Sequence, residues 1–254
     1  MRERPVLLVL HGGPGTDHSG CRPYFDRFRD THCVVYFDQR GHGRSDERDD
    51  PSGWTLDTWA DDVWRLCDAL GIDNPILLGI SFGGVVAVHA AGRQPSRASK
   101  LVLMSTFAKT DDETMLRAFE RRGGARAREV AARFWGAADD TSLAEYGEVC
   151  LPLYMRHPPA GAGPSRSRGN VAVMFQFVAQ VRPSLDVLAS VAAIRCPTMV
   201  LVGEDDPVCP PAMSEAIVAA LPPGLARYEC LGDCGHGTQF DQPDATEALL
   251  RSFL

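Results

Sequence analysis

The chain has no apolar run long enough to cross a bilayer. Its most hydrophobic early stretch, Val6 to Leu10, is also too short for the core of a secretory signal, so a cytoplasmic protein is expected. Positive charge is not in excess either. A net charge of −7, from 26 Lys and Arg against 33 Asp and Glu, disfavours a nucleic-acid or anionic-membrane surface. The arginines from Arg117 to Arg128 alternate with acids and apolar residues, as on a solvated helix face. Eight cysteines are present, but scattered through a chain far larger than a stapled mini-domain. Cys33, Cys67 and Cys196 fall in strands or apolar helix faces, where small buried thiols are the plain reading. Cys230, Cys234 and His236 stand close together, yet no second ligand pair at zinc-site spacing accompanies them, so no metal is expected. Internal repeats are absent as well.

What is there is an alternation of short apolar runs and helical patterns. Strands are expected at Pro5–Leu10, Cys33–Phe37, Pro75–Gly79, Lys100–Met104, Thr198–Val202 and Arg227–Leu231, each bounded by Gly, Pro or Asp. In "TLDTWADDVWRLCDALG", Leu56, Trp59, Val63, Leu66, Cys67 and Leu70 recur at three- and four-residue steps, and Gly71 stops the pattern. Strands joined by helices imply right-handed crossovers and a mostly parallel sheet. The rhythm breaks between Thr106 and Leu188, where "DDETMLRAFERR", "REVAARFWG" and "SLAEYGEVCLPLYM" are helical and no strand stands out. His157 to Asn170, "HPPAGAGPSRSRGN", reads as a mobile loop. The expected organisation is a core in two parts, 1–105 and 189–254, with a helical cap, 106–188, over the sheet's C-terminal edge, where α/β proteins place their sites.

The third strand runs into Gly79-Ile80-Ser81-Phe82-Gly83-Gly84 and then the helix "VVAVHAA". This is G-x-S-x-G in its strand–turn–helix setting, where a serine at a sharp turn needs small residues two positions to either side. A serine hydroxyl needs a base to take its proton and an acid to orient that base. After "TMVLVG" comes "EDDPVCP", and after "ARYECLG" comes "DCGHG", so the chain order is Ser81, then an acid, then His236. Early in the chain, "VLLVLHGGPG" turns a strand into a glycine-rich loop suited to holding an anion. A phosphate cradle is disfavoured because no Lys-Ser/Thr pair follows the glycines.

The set His11-Gly-Gly-Pro-Gly, "DQRGHGRS" (Asp38 to Ser45), "GISFGG", "GEDDPVCP" and "GHG" resembles the α/β-hydrolase superfamily, and most closely its proline iminopeptidase branch. The resemblance implies an α/β-hydrolase fold, a mostly parallel sheet flanked by helices with a helical cap, and no cofactor. Its acid pattern, Gly-x-x-Asp with Pro four residues on, fits Gly203, Asp206 and Pro210, with the neighbouring Asp205 as the alternative. It implies that Ser81 is the nucleophile, His236 the base and Asp206 the orienting acid. The oxyanion donors would be the backbone N–H groups of Phe82 and Gly13, with Pro14 fixing the backbone direction through a cis Gly13–Pro14 bond. A serine at 81 argues against dehalogenase and epoxide-hydrolase chemistry, which use a carboxylate nucleophile.

Gly12, Trp135 and Glu148 are the candidate substrate contacts. The branch captures a substrate ammonium group with cap carboxylates, and its usual Trp-Glu is replaced here by Ala and Asp residues. Asp139, Asp140, Glu145 and Glu148 are the substitutes on offer. The cap looks short beside that branch's, which suits other acyl substrates. Three functions follow for small-molecule or short-peptide ligands: an aminopeptidase-like amide hydrolase, a carboxylesterase or lactonase, and a non-catalytic binding protein. His89 is expected to be a packed or satisfied core residue, and Asp38 and Arg40 to hold loops together, with His42 in the same turn. His18, His32 and His157 show no partner pattern. Relatives carry two further strands ahead of the first one here. Either the start is truncated, or these strands are missing and Cys33–Phe37 is expected to be a sheet edge covered by a partner subunit, as in a homodimer, or by a repositioned segment.

Overall fold

Buried β-branched and leucine runs set the frame. In the computed structural model, which describes residues 4–45, 50–158 and 167–254, six strands form one parallel sheet: β1 (Val6–Leu10), β2 (Cys33–Tyr36), β3 (Ile76–Ile80), β4 (Lys100–Met104), β5 (Thr198–Gly203) and β6 (Ala226–Leu231). Their order is β2-β1-β3-β4-β5-β6, so β2 and β6 are the edges. All six lie within a residue of their expected positions. Side chains alternate across the sheet. Leu8, Leu10 and Leu77 face a layer containing α1 (Leu56–Leu70) and α2 (Phe82–Arg93). Leu7, Val9, Ile76 and Leu78 face Tyr24, Phe25, Phe28 and Leu250 on the other side.

Helix α1 starts where Thr55 accepts the Thr58 N–H and ends at Gly71, whose φ of 60° is the left-handed stop its sequence position called for. Between β4 and β5 run α3 (Asp112–Gly136), kinked at Gly124, α4 (Asp140–Val149), α5 (Val171–Gln176) and α6 (Leu188–Ala193). Phe119, Phe134 and Tyr146 from this region share an apolar cluster with Val208, Cys209 and Met213, which follow β5. The region therefore sits against the C-terminal ends of the strands. In the loop expected at His157 to Asn170, residues 159–166 lie outside the described residues. After β5 and β6 come α7 (Pro211–Ala220), α8 (Thr238–Asp241) and α9 (Pro243–Phe253). No helix among the described residues is long and apolar enough to cross a membrane.

Candidate active site

Ser81 is the hinge between β3 and α2, with φ 52° and ψ −122°. For a residue with a side chain this left-handed φ costs on the order of 1–3 kcal/mol and persists only where the surroundings enforce it. They do so here: the Ser81 N–H donates to Met104 O on β4 (2.9 Å), and Ser81 O accepts from Thr106 Oγ1 (2.7 Å) and the Gly84 N–H (2.8 Å). The flanking glycines are required by close approach. A Cβ at 79 would lie 2.5 Å from Gly83 O, and one at 83 only 2.3 Å from Leu10 O. As the first residue of α2, Phe82 carries an N–H with no intrahelical acceptor.

Of the two candidate carboxylates, Asp206 is the one that meets His236. Its Oδ1 accepts the N–H groups of Val208 (2.8 Å) and Cys209 (2.9 Å), and its Oδ2 lies 2.8 Å from His236 Nδ1. A buried carboxylate that only accepts puts the imidazole proton on Nδ1, which leaves Nε2 with a free lone pair. Asp205, the alternative, turns away and pairs with Arg156 (3.4 Å). The histidine loop is tied to the segment after α4. The His236 N–H donates to Tyr154 O (2.6 Å), and the Tyr154 ring meets the His236 ring edge-on at 5.2 Å. Buried Asp241 completes the joint. Its carboxylate accepts from the Gly235 N–H (2.7 Å) on one side of the joint and from the Arg156 (3.0 Å) and His157 (2.7 Å) N–H groups on the other.

Gly12, Gly13, Ser81, Phe82, Trp135 and His236 all line one cavity of about 440 Å³. The Gly13–Pro14 bond is cis, and Gly13 has a φ of 126°. The walls are mostly apolar, among them Phe107, Phe134, Met174, Phe177 and Met213. The charged wall groups are engaged. Burial pushes Asp17 up, but hydrogen bonds from Ser19, the Arg168 N–H and Arg44 outweigh it and hold the carboxyl well below the ordinary range. Asp111 accepts from the Thr114 N–H and hydroxyl. Arg182 is paired with Asp112 and donates to Trp135 O.

The structure does not bring Glu148 to this cavity. Tyr146 and Cys150 face inward at the end of α4, and position 148, two residues from each, is exposed on the opposite side of the helix. The other acids considered for an amine site are also elsewhere. Glu145 pairs with Arg126 and Arg133, Asp139 caps α4, and Asp140 is exposed. None of the four lines the cavity.

Two histidines differ from expectation. His18 pairs with Asp38 (2.6 Å) and His157 with Asp233 (2.8 Å), contacts between distant segments that spacing could not reveal. His89 on α2 is satisfied by Ser190 on α6 and Asp57 on α1, whereas Asp38, which also accepts the His18 and Arg44 N–H groups, and Arg40, paired with Asp62, hold the loop after β2. The close group able to offer metal ligands, among the described residues, is Asp206, Cys209 and His236 rather than the Cys230, Cys234 and His236 of the sequence. Both Asp206 oxygens are already taken, and burial pushes the Cys209 thiol well up, away from the thiolate a metal needs. These residues fit proton transfer better than a metal.

A family model described as the alpha/beta hydrolase fold matches residues 5–243. The chain belongs to the α/β-hydrolase fold family. It is a hydrolase whose relatives include the proline iminopeptidase of Levilactobacillus brevis, 26% identical with 98% of this chain and 87% of that protein covered. A putative carbamate hydrolase RutD of Caulobacter sp. is 27% identical, covering 100% and 91%. Among solved structures, a proline iminopeptidase-related protein from Thermus thermophilus superposes with a TM-score of 0.73 at 26% identity, covering 98% and 89%. Asp241, Tyr146, Tyr154 and Arg182 were not singled out from the sequence. No motif marks them, because each depends on at least one contact 11 to 85 residues away.

Proposed function

We propose that this hydrolase cleaves an ester or amide acyl bond of a small, largely apolar substrate through an acyl-enzyme. The observation that carries the reading is the Asp206–His236 pair opening onto the same cavity as Ser81 at its strained turn. Ser81 Oγ attacks the acyl carbon while His236 Nε2 takes its proton. The oxyanion is held by the N–H groups of Phe82 and Gly13, donors of a kind worth about 3 kcal/mol each. The leaving group departs with the proton from His236, and water repeats the sequence to free the acid.

The acyl partner is read as uncharged because every carboxylate on the cavity wall is engaged. A second reading, removal of an N-terminal residue from a peptide, draws on the proline iminopeptidase relatives and on Trp135 in the wall. The test is a paired assay of amino-acid p-nitroanilides, proline included, against p-nitrophenyl acyl esters and lactones. Ester or lactone cleavage with no free-amine requirement supports the first reading. Anilide cleavage lost on blocking the amine supports the second. A fluorophosphonate probe should label the wild type and not Ser81→Ala, with activity down by on the order of a thousandfold or more. Equal labelling of both would overturn the nucleophile and revive a non-catalytic binding role.

A further inference from the structure

The aromatic wall of the cavity contains a hydrogen-bonded chain whose protons do not balance within the protein. Trp135 Nε1–H, a donor only, reaches Tyr146 Oη at 3.1 Å, and Tyr146 Oη lies 2.8 Å from Tyr154 Oη. The two phenols carry two hydroxyl protons. One closes the Tyr146–Tyr154 bond in either direction, and the Trp135 proton occupies a lone pair of Tyr146. The remaining hydroxyl proton has no acceptor among the described residues.

The chain is built rather than incidental. The Arg182 guanidinium sits 5.0 Å over the Trp135 ring and donates to Trp135 O, which fixes the indole. Phe134 and Phe119 pack on Tyr146 with ring centroids at 4.4 and 5.9 Å, and Tyr154 packs on the His236 ring. Burial pushes both phenols up, so both stay protonated donors across the working pH range. Trp135, Tyr146 and Tyr154 all line the cavity that holds Ser81 and His236. A buried hydroxyl proton facing an apolar wall is costly to leave unpaired, so a ligand acceptor placed there gains the bond and relieves the penalty.

We infer that the Tyr146 and Tyr154 hydroxyls form a recognition subsite for a hydrogen-bond-accepting oxygen carried by the substrate's acyl group. The inference rests on the reading of this cavity as an acyl-binding site. Among the described residues the one arginine of this wall, Arg182, is already paired with Asp112, and the acidic wall groups Asp17 and Asp111 disfavour a second carboxylate, so the oxygen is a neutral one, a ketone, hydroxyl or ether. The subsite lies beside His236, so recognition of that oxygen and placement of the base share one side chain, Tyr154.

The test compares p-nitrophenyl hexanoate with its 3-oxo, 4-oxo and 5-oxo analogues, each rate corrected for its uncatalysed hydrolysis. The wild type is expected to favour at least one oxo ester by about tenfold in kcat/KM, the weight of a gained bond and a relieved donor. In the double variant Tyr146→Phe/Tyr154→Phe that ratio should fall to about one, and in Trp135→Phe it should fall part of the way. The ratio is internal to each variant, so a loss of folded fraction cancels. Should turnover be too slow to follow, protection of Ser81 from the fluorophosphonate by methyl 4-oxohexanoate against methyl hexanoate gives the same comparison. An absent preference in the wild type, or one that survives in the double variant, overturns the subsite. Failure of the hydrolase reading is distinct: no ester is turned over and Ser81 takes no label.

Discussion

One wall of the cavity is made by strand ends and the other by helices, and the two are held differently. On the first, Ser81 follows β3, Asp206 follows β5 and Gly13 follows β1, each set by backbone hydrogen bonds or by a φ that few residues adopt. On the second, Trp135, Tyr146 and Tyr154 hold one another by ring contacts and side-chain hydrogen bonds. The difference is one of tolerance. Where backbone approaches backbone at 2.3 Å from a missing Cβ, chemistry dictates the residue. Where rings interlock, many residue sets would fill the same space, and the wall is free to choose a substrate.

The two walls meet at Asp241, and breaking that joint should have the largest effect. In Asp241→Asn a carbonyl oxygen in the Oδ1 place loses the Gly235 bond and one in the Oδ2 place loses the His157 bond, and in either case the NH₂ faces a backbone donor. Losing charge-assisted bonds to a buried carboxylate and stranding their donors should cost about 3–5 kcal/mol of stability. Because His236 follows Gly235, kcat per site titrated with the fluorophosphonate should also fall, on the order of a hundredfold, the cost of a misplaced catalytic group. An unchanged kcat per titrated site, with only the melting temperature lowered, would mean that the joint stabilises both walls without aligning them.

The strand-end wall should be the acid-sensitive one. His11, just ahead of the Gly12-Gly13 turn, accepts the Gln39 N–H at Nε2 (3.1 Å), and its pKa is pushed down from 6.5 to about 4, first by burial and then by His42. As pH falls from 6.5 towards 4 the unfolded chain gains a proton that the folded chain refuses. Stability is therefore full above the unfolded value and declines through this window, by about 3 kcal/mol at its acid end. His42 and His32, also pushed down by burial, add to the same slope. Denaturant melts of the wild type and His11→Gln across this range should show a shallower slope in the variant. Equal slopes would mean that His11, ahead of the glycine turn, carries none of the acid sensitivity.

The same division explains what was legible in the sequence. The six strands, the Gly71 stop and the Ser81 turn could be read because apolar runs, left-handed stops and close backbone approach each demand particular residues at fixed spacing. The acid was narrowed to Asp205 or Asp206, since both stand in one loop and only the fold aims one of them at His236. The helical wall is legible only in part: periodicity marks its helices and the resemblance marks Trp135, but neither says which face turns inward. Acids in a helix pattern look alike until the inward face is known, so the sequence points to Glu148 as a contact and carries no signal for Tyr146, two residues away. The His18, His157 and Asp241 contacts join segments 20 to 85 residues apart, beyond the reach of any local pattern.

Glu148→Gln is the smallest change and the sharpest test of how the helical wall faces. With Tyr146 and Cys150 turned inward, residue 148 points to solvent, so its charge reaches the cavity only through water and salt. The variant should keep KM for both proline p-nitroanilide and a p-nitrophenyl ester within about twofold of wild type, as expected of an exposed surface change. An amine-capturing carboxylate behaves otherwise: its loss raises KM for the free-amine anilide and leaves the ester untouched, because only the ammonium group senses it. A tenfold rise confined to the anilide would therefore rotate α4 by half a turn relative to the structure. It would return the aminopeptidase reading to first place and remove Tyr146 from the wall on which the oxygen-recognising subsite depends.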